Sequence, residues 1–260
     1  MAATSGLTSS NTTKTKNKTS ISETGHAKYM ANFQELIAFV IGYGATYNPS
    51  KDALKVSQLN TIVINSQAIL ADVRTKNTAY NNAINDRIIA FKGLKLLSTR
   101  LISALETTNA SKEKINDAKG INRKMQGKRT SPTKTPTDTN IPTPIRISTS
   151  QQSYDQLLQH FAGLISILQS EVSYTPNENE LKLTELIAKQ ANLTAKNNAV
   201  AIAYVSVNNS RISRNKILYG ETTGLVDTAL EVKKYIKSIF GTSSPEYTQV
   251  KSIKFKNLKR

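Results

Sequence analysis

The chain has 260 residues, with 35 Lys or Arg against 18 Asp or Glu, a formal charge of +17, no Cys, no Trp and two His. Without cysteine there is no disulfide framework, thiol nucleophile, iron–sulfur cluster or Cys-based zinc site, and two distant histidines leave little for another metal centre. An apolar share of 38% is below the ~45–50% usual for globular domains but above that of a wholly disordered chain, so folded segments alternate with unfolded ones.

In chain order, residues 1–24 form a Ser/Thr/Lys-rich stretch expected to be a disordered tail, with no apolar core of the kind a secretion signal needs. No window reaches the ~18 to 20 apolar residues of a membrane span, and a cytoplasmic location is the expectation. Met30, Phe33, Ile37, Val40 and Ile41 then recur at helical spacing, as do Leu157, Leu158, Phe161, Leu164, Ile165, Leu168 and Val172 further on, predicting one helix in each place. Tyr47-Asn48-Pro49 and Tyr174-Thr175-Pro176 follow as start signals, the second with Glu178 completing a capping box. From there a second helix is predicted over 50–92 and again over 177–219, about 64 Å long at 1.5 Å per residue. Its seam is a three-four alternation interrupted by Ser66, Asn77 and Arg87 in the first half, and by Gln190, Asn197, Arg211 and Arg214 in the second, which reads as a coiled coil. Third helices begin after Gly93 and Gly220, and Gly241 is placed as a C-terminal cap.

Writing the second half under the first at a shift of 127 aligns Tyr47 with Tyr174, Leu59 with Leu186, Asn65 with Asn192, Val73 with Val200, Arg87 with Arg214 and Gly93 with Gly220. A shift of 120 also fits locally and keeps the same helix face. The reading is an all-α chain of two tandem three-helix modules forming an elongated helical bundle with coiled-coil-like seams: tail 1–24, module 25–128, Pro/Thr-rich linker 129–150, and module 151–260 as an internal repeat. Four of the seven prolines lie in the linker. Two helix layers leave an apolar face open, to be covered by the other module or by another chain.

Little in the chain suggests chemistry. Asp155 and His160 stand five apart on a helix and point differently. Gly42-Tyr43-Gly44 lacks the strand and third glycine of a nucleotide loop, and marks a helix end with Gly42 admitting close packing. No catalytic residue, cofactor or metal is expected. Arg87 and Arg214 occupy equivalent seam positions, where they either bind an anion together or specify register. Positive charge clusters at the module ends: residues 112–129 hold seven Lys or Arg against two acids, and 251–260 hold five with none. The candidate polyanion-binding residues are Lys119, Arg123, Lys124, Lys128 and Arg129, with Lys251, Lys254, Lys256, Lys259 and Arg260.

The words SETGHAK (22–28), YGATYNPSK (43–51), INRKMQGKR (121–129), NSRISRNKILY (209–219) and FGTSSPEYTQVK (240–251) resemble a family of uncharacterised bacterial proteins with the same duplicated helical layout, over nearly the whole chain. That resemblance implies a bacterial helical repeat protein and no particular activity. The expected function is a non-enzymatic scaffold or binding protein taking nucleic acid or another polyanion. The alternative is a structural or assembly component of a cytoplasmic or phage-like particle that self-associates as a homo-oligomer through its seams.

Overall fold

Apolar residues three and four apart, with few β-branched runs and no interior proline, leave the chain one regular option, the α-helix. A computed structural model describes residues 25–128 and 152–256. The tail, the linker, Arg129, Lys259 and Arg260 lie outside the described residues. Those described fold into eight α-helices and no strand: α1 (His26–Gly42), α2 (Val56–Phe91), α3 (Leu94–Glu106), α4 (Lys112–Gln126), α5 (Tyr154–Gln169), α6 (Leu183–Tyr219), α7 (Leu225–Phe240) and α8 (Pro245–Lys251). Among them, no helix is long and apolar enough to cross a membrane.

The described residues pack as two compact units, 25–70 with 215–256, and 71–128 with 152–214. The division cuts α2 and α6 and does not fall at the linker. In the first unit, Phe33, Leu36 and Val40 on α1 share a core with Leu225, Val226, Ala229, Val232 and Ile236 on α7, closed by Leu59, Leu218 and Val250. In the second, Leu94, Leu97, Leu101 and Leu105 on α3 meet Leu157, Phe161, Leu164 and Leu168 on α5, with Ala118 and Met125 of α4 between. Gly93 takes a left-handed φ of 83°, which lets α3 start directly behind α2.

Three local expectations change. The long helices start at Val56 and Leu183, not at residues 50 and 177, because short 3-10 turns, Asp52–Leu54 and Asn179–Leu181, come first. Lys55 and Lys182 then stand in extended conformation, with ψ of 144° and 141°, and break the two helical pieces apart. The same bond holds both turns: the Tyr47 hydroxyl donates to the Leu54 carbonyl at 2.8 Å, and the Tyr174 hydroxyl to the Leu181 carbonyl at 2.9 Å. Burial raises both phenol pKa values, so each remains a neutral donor. Glu178 precedes its turn with no side-chain cap bond, so the capping box does not form. Secondly, the basic stretch 112–126 and residues 245–251 are helical, giving each half a fourth helix. Thirdly, Val172 lies past the end of α5 and is 94% exposed, and a side chain at Gly42 would meet open space instead of a packed neighbour.

In the second unit α2 and α6 run antiparallel, and their polar seam residues pair across. Arg87 Nη1 donates to Asn197 Oδ1 at 3.1 Å, Arg211 Nη2 donates to Asn77 Oδ1 at 2.8 Å, and the Ser210 hydroxyl donates to Asp72. Lys196 pairs with Asp86 at 2.7 Å. The Arg87 guanidinium also stacks over the Tyr154 ring, 4.0 Å from its centroid. Arg87 therefore acts in register, joined to Asn197 and Tyr154.

Removing the hydroxyl in Tyr47→Phe or Tyr174→Phe leaves a buried carbonyl without its donor, so each variant is expected to lose about 1 to 3 kcal/mol in denaturant unfolding. Arg87→Ala should cost more than Arg87→Met, which keeps contact with Tyr154; equal losses in melting temperature would show that the bond to Asn197 alone matters.

Candidate polyanion-binding surfaces

The α4 surface begins with a cap. The Ser111 hydroxyl accepts from the Lys114 amide at 3.2 Å, and Glu113 sits in the first turn, where a helix favours negative charge. At the other end Gly127, with φ of 73°, closes a Schellman motif: its amide donates to the Lys124 carbonyl at 3.0 Å and that of Lys128 to the Arg123 carbonyl at 2.9 Å. Cations are favoured at this pole, which is why the fold tolerates Arg123, Lys124 and Lys128 together.

Those three side chains are exposed and have no ion-pair partner among the described residues, whereas Lys119 is paired with Glu106 at 2.6 Å. A further cation, absent from the sequence-based set, joins them. Gln152 donates through Nε2 to the Lys124 carbonyl at 2.7 Å and accepts from Lys95 Nζ at 2.7 Å, drawing α3's lysine to the end of α4. Four cations are thus placed at or beside the end of α4, none of them paired to a carboxylate among the described residues. Behind them, burial first and Lys124 second push the His160 imidazole below its ordinary pKa, and its Nε2 is buried without a hydrogen bond.

The opposite end of α4 is anchored by charge. Lys114 Nζ pairs with Glu171 at 2.9 Å and donates to the Ser170 carbonyl at 3.0 Å. The Ser173 hydroxyl, Lys114 and the Ser173 amide together hold the Glu171 carboxyl down to about 2.

The second surface, in the other unit, is the segment after α8. Ile253 and Phe255 are buried while Lys251, Lys254 and Lys256 are exposed, an alternation that turns lysines outward from an apolar anchor. Asn32 of α1 donates to the Lys254 carbonyl at 2.9 Å, and Lys233 of α7 donates to the carbonyls of Lys251 at 3.1 Å and Ile253 at 2.7 Å. Burial lowers the pKa of Lys233. Neither anchor was legible as functional, although Asn32, buried in the apolar stripe of α1, carried a hint.

Other candidates do not assemble. Asp155 accepts from Asn197 at 2.7 Å and makes no pair with His160; His26 bonds the Tyr219 hydroxyl at 2.8 Å. Among the described residues no three His, Asp or Glu side chains converge as a metal would require. A cleft of about 510 Å³ in the second unit is lined by both signs of charge, with Arg100 already paired to Glu180. Compared with known protein families, curated proteins and solved structures, the chain matches none.

The low Glu171 pKa stabilises the fold above its ordinary value near 4.5, and that contribution fades as pH falls toward about 2. Melting temperatures of the parent and Glu171→Gln should therefore differ at pH 7 and converge through that window; a constant gap would place the effect in packing. Replacing Asn32 and Lys233 by Ala should raise amide exchange over residues 253–256 by tenfold or more without changing exchange in α1.

Proposed function

We infer that the chain is a non-enzymatic binding protein that takes nucleic acid through its phosphates. The observation that carries this is the grouping of Arg123, Lys124 and Lys128 at the C-terminal end of α4, beside Lys95 held through Gln152, none of them paired with a carboxylate among the described residues. Phosphates held this way release counterions, give affinity without reading bases, and need no aromatic platform. Lys251, Lys254 and Lys256 add a second surface of the same chemistry. A cytoplasmic setting, where nucleic acid is the commonest polyanion, suits such a partner.

The tandem-module reading belongs to the same proposal. It is supported by the Tyr47–Leu54 and Tyr174–Leu181 bonds, which recur at the shift of 127, and by α4 and α8 following equivalent helices. One basic end per module makes a bivalent binder out of a duplicated unit.

The test is fluorescence anisotropy of labelled duplex DNA and single-stranded RNA at about 50 and 200 mM salt. Three phosphate contacts at one surface predict roughly a 40-fold loss of affinity over that range, and more where both surfaces engage. Neutralising Arg123, Lys124 and Lys128 to Gln should flatten the salt slope, and polyanion docking should raise the titration midpoint of His160, observable by NMR in a chain with two histidines. No binding at 50 mM overturns the reading.

A further inference from the structure

From Asn197 to Ser210, α6 carries no Asp, Glu, Lys, Arg or His, and neither does the facing stretch of α2 from Asn77 to Asn85. Tyr80 and Tyr204 meet across them with ring centroids 5.8 Å apart. The inward face of α6 here is occupied: Val200, Val207 and Ser210 are buried against the chain's own α2 side. Its outward face is not. Ile202 is 71% exposed, Val205 55% and Ile212 67%. With Asn198 and Asn209 these residues repeat at intervals of four and three, the period of a second seam on the side opposite the first. A helix whose outer face meets only water normally carries charge at such positions.

We propose that this outward face of α6 docks a second copy of the same chain. Charge selects the occupant. A chain of net charge +17 repels its own copies over most of its surface, so two copies approach most readily where charge is absent. Between Asn197 and Ser210 an acidic or basic partner finds no charge to pair with. A heptad-spaced stripe meets an antiparallel copy of itself across a two-fold axis, which sets Val205 beside the partner's Val205 and builds a four-helix layer from two α2–α6 pairs. Fourteen residues span about 21 Å along a single helix about 10 Å wide, giving a footprint of roughly 200 Å². That is about a quarter of the ~800 Å² per partner of a stable complex, so the dimer is weak and forms only at high protein concentration.

Sedimentation velocity on the full chain, from about 10 µM to 1 mM and at about 50 and 500 mM salt, tests the proposal. The mean mass should rise with concentration and rise further with salt, as screening relieves like-charge repulsion; polyanion binding has the opposite salt dependence, so the two readings fail separately. Ile202→Lys with Val205→Lys should return the protein to monomer with helix content unchanged, whereas Gln159→Lys, at an exposed position of α5, should not. Since the chain has no native Cys, Val205→Cys under mild oxidation should give a covalent dimer in at least tenfold higher yield than Gln159→Cys. Monomer at every concentration and salt, association that survives the double Lys variant, or equal cross-linking by both cysteines would each overturn the assignment.

Discussion

Cross-helix pairing between polar residues of α2 and α6 sets the rest of the second unit. Apolar seams of three-four spacing tolerate a slip of one heptad, because the same face stays inward after seven residues. Arg87 with Asn197, Arg211 with Asn77, Lys196 with Asp86 and Ser210 with Asp72 do not tolerate it. A slip would strand the half-buried groups of Arg87–Asn197 and Ser210–Asp72 at about 1 to 3 kcal/mol each, against a net stability of about 5 to 15 kcal/mol, while the two exposed pairs add less. The same network reaches α5, through Asp155 on Asn197 and Tyr154 under Arg87. Since α5 in turn packs against α4, the position of the basic cluster follows from the register of the long helices.

Charge is distributed to match. Some acidic side chains are committed to pairs that hold elements together, Glu171 with Lys114 and Glu106 with Lys119 among them. Arg123 and Lys124 sit in the last turn of α4, where the dipole offsets part of their repulsion. The middle of the α2–α6 pair is left neutral. One chain thus carries two surfaces of different chemistry, one cationic and one neutral.

What was readable in the sequence followed local rules. Helical spacing marked α1, α3, α5 and α7, because burying one face of a helix leaves a period of three and four in the residues themselves. The start of the long helices was misplaced because Pro49 and Pro176 satisfy the rule for a first helical position while the Tyr47 and Tyr174 hydroxyls pull the next turn into a 3-10 form. Helix α4 was hidden by its composition: its apolar face is Ile115, Ala118, Ile121 and Met125 among many charges, so charge stood out more than period. The anchors Lys95, Gln152, Asn32 and Lys233 were out of reach, since each acts on a residue at least 18 positions away.

By itself the sequence determined an all-helical chain, the inward face of most helices, the surplus of positive charge and its clustering near residues 119–128 and 251–256. Only the tertiary structure decided which helices share a core, that α1 packs with α7 and α3 with α5, and that the α2 seam beyond residue 71 closes on α6. The reason is physical. Apolar burial is non-directional, so periodicity names a face without naming its partner, whereas the bonds that choose the partner are directional and join residues far apart in the chain.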